Sequence, residues 1–133
     1  MASYRATRAG TILAVTDVQA SVTFYTDLLG LELIERYEDP PYATLRVAGA
    51  RLSLAEQGHD APDRPNVDLV APEDPTRANA LLVVEVDDAT AAFEELTAAG
   101  VRTLAPAYRP PWGGCRFFCV DPDGYLIEIE EPS

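Results

Sequence analysis

Several residue types that build common functional sites are scarce in this chain of 133 residues. Two cysteines, Cys115 and Cys119, and one histidine, His59, are too few for a Cys/His zinc cluster. Four residues along one strand would separate the two cysteine Cα atoms by about 13 Å, whereas a disulfide needs roughly 4.4–6.8 Å. The cysteines are therefore not expected to pair with each other, which fits a reducing compartment.

Long apolar runs and basic residues are also scarce. No run reaches the ~18–20 apolar residues that span a bilayer, and no signal-peptide core follows the first five residues, so we expect a cytoplasmic protein. Ten Lys and Arg stand against 22 Asp and Glu, a net charge of −12. This excess predicts no binding to nucleic acid or to a membrane, and it permits a cationic small ligand. The alternative is that the charge serves solubility alone.

An internal repeat is the main positive signal in the sequence. Two β-rich runs end at Asp17 and at Asp88, and an amphipathic helical pattern follows each of them. The two Asp residues lie where helix N-caps are expected, and Gly30 and Gly100 lie where the helices should end in a left-handed residue. The spacing of the copies is 71 residues for the Asp pair (17 to 88) and 70 for the glycines (30 to 100).

Three strand patterns follow each helix, so that each half is predicted to be a βαβββ unit. The strands are predicted at 31–37, 42–47, 51–56, 101–104, 115–120 and 125–130. The fold class is thus α+β, one domain of two tandem modules at about 8–57 and 79–131. The acidic, Pro-rich segment at about 58–78 is predicted to be a connector that carries His59 at the surface, and the alternative is a lid.

Two segments resemble the vicinal oxygen chelate superfamily, which includes glyoxalase I, extradiol dioxygenases, and fosfomycin- and bleomycin-resistance proteins. Residues 17–30, DVQASVTFYTDLLG, resemble its first helix, and residues 121–129, DPDGYLIEI, resemble its last turn and strand. The resemblance covers about residues 10–130. It implies that the mixed sheets of the two modules form a half-barrel cleft, and that the protein is a homodimer.

Enzymes of this superfamily hold a divalent metal on four strands, and the resemblance places the four ligands at Gly10, Ser53, Leu81 and Glu128. Glycine and leucine offer no donor atom, and a serine hydroxyl is a poor ligand, so only Glu128 is suited to bind a metal. We therefore expect no metal and no other cofactor. The closest resemblance is to metal-free binding proteins of the bleomycin-resistance type.

Alternation along the last two strands predicts which side chains face the cleft. Leu126 and Glu130 share the face of Glu128. The resemblance to fosfomycin-resistance enzymes places Arg116, Phe118 and Val120 on the cleft face, which leaves Cys115, Phe117 and Cys119 for the core. Glu128 is expected to pair with Arg116 or Arg46, or to meet a cationic ligand.

Trp112 lies in the segment PPWGG, and we expect it to stack on a planar ligand; a plug at the barrel mouth or a dimer contact is the alternative. In the first half, Tyr42, Thr44 and Arg46 alternate on one face, which is either the cleft or an exposed polar face. The predicted ligand-binding residues are Trp112, Arg116, Phe118, Tyr108, Tyr42, Thr44, Arg46, Ser53 and Glu128.

The favoured function is metal-independent binding and sequestration of a small aromatic molecule, with a positive charge permitted, such as an antibiotic. The alternative is a lyase, isomerase or oxygenase of the glyoxalase or dioxygenase type. In that case Glu128 would be its acid/base or its residual metal ligand. An accessory protein with a vestigial cleft is the third hypothesis.

Overall fold

The computed structural model describes residues 3–133, and the chain divides into two compact units, Met1–Ala71 and Pro72–Ser133. The first unit contains β1 (Gly10–Val15), α1 (Val18–Thr23), β2 (Glu32–Glu38), β3 (Pro41–Val47) and β4 (Ala50–Glu56). Its strands form one mixed sheet in the order β1-β4-β3-β2, with β1 parallel to β4 and the other pairs antiparallel.

The second unit repeats this plan. It contains β5 (Leu82–Glu85), α2 (Ala89–Ala98), β6 (Arg102–Thr103), β7 (Cys115–Val120) and β8 (Leu126–Glu131). The sheet order is β5-β8-β7-β6, again with one parallel pair, β5 and β8. The prediction of two βαβββ units in an α+β fold is therefore confirmed. Only β6 is clearly shorter than predicted, although the Leu104 amide still donates to the Phe118 carbonyl at 3.0 Å.

Both helical segments begin at the predicted Asp and are followed by the predicted glycine. The Asp17 carboxylate accepts a hydrogen bond from the Ala20 amide at 3.2 Å, and Asp88 accepts one from Ala91 at 3.0 Å. Each bond satisfies an amide that the first turn of a helix leaves free. Gly30 and Gly100 have φ values of 77° and 86°, which a residue with a side chain rarely adopts.

The first helix differs from the prediction in its second half. The amphipathic pattern that follows Asp17 and ends before Gly30 predicts one helix, but α1 ends at Thr23 and a π-helical turn follows over Phe24–Leu28. The Thr26 hydroxyl donates to the Val22 carbonyl at 2.7 Å, an acceptor that the Thr26 amide would use in an α-helix. The wider turn is compatible with burial of two successive rings, Phe24 and Tyr25, whose centroids are 5.1 Å apart.

The apolar cores lie between each helix and one face of its sheet. In the second unit, Cys115, Phe117 and Cys119 are at most 2% exposed, and α2 packs on β7 and β8. The Phe93 ring of α2 meets the Phe117 ring edge-on, with 5.4 Å between the centroids. Both cysteines are free thiols. Their predicted packing role is confirmed.

Burial, and secondarily the negative charge of Asp121, raises the pKa of the Cys119 thiol from 9.0 to about 11. The folded protein keeps this thiol protonated while the unfolded chain releases its proton near pH 9. We therefore expect the free energy of unfolding to fall as the pH rises from about 9 to 11. Urea unfolding across this range measures the effect.

The matched controls are Cys119→Ala, which should remove that part of the pH dependence, and Cys115→Ala, which should retain it. An identical pH dependence in the wild type and in Cys119→Ala would contradict the assignment.

Residues 57–81 form neither helix nor strand, in keeping with the predicted connector. His59 is exposed, as expected, and its Nε2 lies 2.9 Å from a carboxylate oxygen of Glu56. The Gln57 side chain accepts a hydrogen bond from the Ala71 amide at 2.9 Å, which ties the start of the segment to Ala71. Among residues 3–133, no helix has the length and apolar character needed to span a bilayer.

Candidate functional site

Four predicted site residues come together in the second unit. On β7 and β8, Phe118 lies opposite Glu128, and alternation places Arg116 on the same face of the sheet. This face is opposite to the one that buries Phe117. Trp112 lies in the loop before β7. We call Trp112, Arg116, Phe118 and Glu128 the Arg116 cluster.

The guanidinium of Arg116 is the centre of this cluster. Its Nη1 lies 3.1 Å from Oε1 of Glu128, and its Cζ lies 5.3 Å and 5.6 Å from the ring centroids of Phe118 and Trp112. A guanidinium is attracted to both a carboxylate and the face of an aromatic ring. Arg116 is therefore held on three sides by groups that complement its charge and its planar shape.

This ion pair balances the charge of the buried Glu128 carboxylate. Glu128 is 8% exposed, and its neighbours on the adjoining strands are Val83 and Phe118. A carboxylate in such apolar surroundings requires a partner, and Arg116 is that partner. The predicted arginine pair is thus confirmed with Arg116, whereas Arg46 pairs with Glu32 at 3.1 Å.

A pocket of about 290 Å³ opens beside the cluster within the second unit. Trp112 is part of its lining and is 73% exposed. Such exposure does not fit a buried plug, so the ring is available to another molecule. The lining residues are Pro110, Trp112, Gly113, Gly114, Cys115, Arg116, Glu130, Glu131, Pro132 and Ser133.

The glycines after Trp112 allow this loop to lie against the last residues of the chain. A Cβ atom on Gly114 would lie 2.7 Å from the Glu131 carbonyl oxygen, and the φ of Gly114 is 77°. Both the contact and the backbone conformation therefore require glycine. The two prolines before Trp112 restrict the loop on its other side.

Glu130 and Glu131 are pocket residues that the sequence did not single out as ligand-binding. Desolvation, and then the neighbouring carboxylates of Glu128 and Glu85, raises the pKa of Glu130, and Arg116 opposes this shift. Strand alternation did place Glu130 on the face of Glu128, which was the available signal. Glu131 accepts a hydrogen bond from the first amide of α2 at 3.0 Å, and it lies 3.7 Å from Arg109.

Tyr108 is linked to Arg116 of β7 by backbone hydrogen bonds. Its amide donates to the Arg116 carbonyl at 2.8 Å, and the Arg116 amide donates back at 2.9 Å. Tyr108 is exposed, and no ring contact links it to the Arg116 cluster among the residues that the structure describes. Its role as a ligand-binding residue remains a prediction.

The remaining predicted residues lie in the first unit. Tyr42 and Thr44 are half-buried and alternate with the fully buried Ala43 and Leu45, so the predicted alternation of faces is confirmed. Thr44 lies opposite Ser53 across β3 and β4. Tyr42 has its ring 6.3 Å from that of Tyr37, and Arg46 is exposed.

Ser53 is the unusual residue of the first unit. It is fully buried, and its hydroxyl oxygen has no hydrogen-bond partner among residues 3–133. Its neighbours across the sheet, Ile12 on β1 and Thr44 on β3, do not satisfy it.

The four positions that the resemblance assigns to metal ligands do not fit a divalent metal. A Cβ atom on Gly10 would lie 3.0 Å from the Arg51 side chain, which fills the space that a ligand side chain would need. Leu81 carries no donor, and Glu128 is engaged by Arg116. Between residues 3 and 133, no three His, Cys, Asp or Glu residues are grouped so as to hold a metal. The absence of a cofactor in the working protein remains a prediction.

Comparison with known proteins places the chain in a family. The family model of the Glyoxalase/Bleomycin resistance protein/Dioxygenase superfamily matches residues 8–129. The chain belongs to this superfamily. The resemblance of residues 17–30 and 121–129 to the vicinal oxygen chelate proteins is thereby confirmed.

The proteins similar to this chain include two that are named as enzymes. The chain is 33% identical over 129 residues to a lactoylglutathione lyase of Salmonella typhimurium, covering 91% of this chain and 89% of that protein. It is 31% identical over 121 residues to glutathione transferase FosA of Serratia marcescens, covering 91% and 77%. A solved superfamily structure from Nocardioides aligns with a TM-score of 0.74 at 27% identity, covering 98% of this chain and 86% of that one.

Proposed function

We propose that this protein binds a small planar aromatic molecule at the Arg116 cluster, without a metal. The observation that carries the proposal is the exposed Trp112 ring on the wall of a pocket of about 290 Å³, beside a guanidinium that is already fixed in place. An exposed indole next to a concave surface is costly to leave in water, and a stacked aromatic ligand would cover it.

The charges around the pocket restrict the ligand further. Two carboxylates, Glu130 and Glu131, line it beside one arginine, and the chain carries a net charge of −12. These charges favour a neutral or cationic ligand over an anionic one. Sequestration of an antibiotic, as in bleomycin-resistance proteins, is the narrower form of the proposal and is supported by the family alone.

Trp112 is the single tryptophan of the chain, so its fluorescence reports on this site alone. We expect a neutral or cationic aromatic compound such as proflavine to quench it with a saturable dependence on concentration. Calorimetric titration should show Trp112→Ala binding about tenfold more weakly, since a lost aromatic stack costs ~0.5–1.5 kcal/mol beyond the lost apolar burial.

Phe93→Leu, a change on the opposite side of the β7 and β8 sheet, is the matched control and should bind as the wild type does. Absence of saturable quenching by such compounds, or an unchanged affinity in Trp112→Ala, would contradict the proposal. Stoichiometric zinc, nickel, manganese or iron in the purified protein would contradict its metal-free form.

A second candidate is an enzyme of the lyase or transferase type. Two relatives support this candidate by their names, a lactoylglutathione lyase at 33% identity and glutathione transferase FosA at 31%. The names of these curated relatives favour this candidate over a binding protein, whereas the residues at the ligand positions oppose its metal-dependent form. An assay of lactoylglutathione formation, with and without added nickel or zinc, decides between them, and turnover that Glu128→Gln abolishes would support the enzyme.

Three further expectations remain proposals. A homodimer follows from the resemblance, a cytoplasmic location from the composition, and the lack of nucleic-acid binding from the net charge of −12. Sedimentation of the purified protein measures the first of these.

A further inference from the structure

We propose that Arg116 selects its ligand by donating hydrogen bonds to a neutral oxygen on the aromatic ring system, such as a ring carbonyl. This inference rests on the proposed function, because it concerns the same pocket. It names a polar group that strengthens the binding of an aromatic ligand.

The guanidinium of Arg116 has more donors than the protein uses. An arginine side chain carries five N–H groups. One of them, on Nη1, donates to Glu128 at 3.1 Å, and within residues 3–133 this is the guanidinium's only hydrogen bond to protein. The Arg116 side chain is one-third exposed, and Arg116 lines the pocket. The unused donors are therefore offered to whatever occupies the pocket.

The position of these donors is fixed before a ligand arrives. Glu128 holds one end of the guanidinium, while the rings of Phe118 and Trp112 lie 5.3 Å and 5.6 Å from its Cζ. A donor that is already oriented loses little conformational entropy when a ligand binds. Trp112 and Arg116 both line the pocket, and the inference therefore places the aromatic ring of the ligand beside the indole and its oxygen toward the guanidinium.

The surrounding charges determine which kind of oxygen is favoured. Glu128 already balances the charge of Arg116, and Glu130 lies opposite Arg116 on β8. Glu131 adds a further carboxylate to the pocket wall. A ligand carboxylate would meet these negative groups at close range, whereas a carbonyl oxygen accepts the same hydrogen bonds without that repulsion.

Two neutral compounds of the same shape test the inference. Fluorenone has a ring carbonyl, and fluorene has a methylene group in its place. Titration of Trp112 fluorescence should show that the wild type binds fluorenone about tenfold more tightly than fluorene, the effect of one charge-assisted hydrogen bond. Fluorene-9-carboxylate should bind no more tightly than fluorene.

The variant Arg116→Gln/Glu128→Gln removes both charges together, so no buried carboxylate is left alone, and circular dichroism checks its fold. Its preference for fluorenone should fall to about twofold or less, since a neutral hydrogen bond is weaker. Arg109→Gln, which changes an arginine outside the cluster, should keep the tenfold preference.

The outcomes separate the two proposals. If the wild type binds neither these neutral compounds nor proflavine, the proposed function fails and this inference fails with it. If proflavine alone binds, aromatic binding stands and this inference is overturned. If fluorenone and fluorene bind equally, or if the double variant keeps the full preference, aromatic binding stands and the role of Arg116 is wrong. If fluorene-9-carboxylate binds most tightly, the site selects an anion and the inference is overturned.

Discussion

Replacing Arg116 with methionine is expected to lower the free energy of unfolding by about 2–3 kcal/mol, in urea unfolding at neutral pH. The reason is that Glu128, 8% exposed, would lose the partner that offsets the cost of burying its carboxyl group beside Val83 and Phe118. Breaking a fully buried ion pair costs about 3–5 kcal/mol, and we reduce that figure because the Arg116 side chain is 33% exposed.

A double-mutant cycle separates the pair from its surroundings. Glu128→Met should lower the free energy of unfolding by about 1–2 kcal/mol, since the more exposed Arg116 side chain can reorient toward solvent. The double variant Arg116→Met/Glu128→Met should be more stable than the Arg116→Met variant, because no unpaired carboxylate remains. Simple addition of the two single effects would show that Arg116 and Glu128 do not interact in solution, which would remove the basis of the Arg116 cluster.

Replacing Phe117 with alanine is expected to cost about 3–5 kcal/mol of unfolding free energy, the usual effect of removing a core aromatic ring. Phe117 is 2% exposed and meets the Phe93 ring at 5.4 Å, so its loss leaves a cavity between β7 and α2. The same residue type one position further along β7, in Phe118→Ala, provides the matched control.

Phe118 is half-buried on the opposite face, where its ring contacts the guanidinium of Arg116. Phe118→Ala should cost about 1–1.5 kcal/mol, because the ring leaves no closed cavity and the cation–π contact is worth roughly 0.5–1 kcal/mol. Equal losses for the two variants would contradict the assignment of faces on β7, and with it the composition of the candidate site.

The parts of the fold that were predictable depend on local rules. Asp17 and Asp88 cap helices because their short carboxylates reach free amides of the first turn, whatever lies further away. Strand alternation placed Cys115, Phe117 and Cys119 on one face for a similar reason, since successive side chains point to opposite faces. The family resemblance then assigned that face to the core. The π-helical turn at Phe24–Leu28, where the Thr26 hydroxyl bonds the Val22 carbonyl, escaped prediction because nothing in the residue spacing marks it.

The sequence predicted which residues form the candidate site, but it did not decide which arginine pairs with Glu128. Glu128, Arg116, Phe118 and Trp112 followed from strand alternation and the family resemblance together. The choice between Arg116 and Arg46 as the partner of Glu128 remained open. The register of β7 against β8 decides it, because Arg116 lies opposite Glu130, two residues from Glu128 on the same face, whereas Arg46 is occupied by Glu32.

Residue types and their spacing by themselves determined that this chain is a repeated βαβββ fold. The resemblance to the vicinal oxygen chelate superfamily, added to the sequence, implied that three of its four metal-ligand positions hold Gly10, Ser53 and Leu81 here. Only the tertiary structure decided that the Arg116 guanidinium pairs with the Glu128 carboxylate and that a pocket opens beside Trp112. The physical reason is that such contacts depend on side-chain rotamers and loop conformation across elements distant in sequence, and no local pattern encodes them.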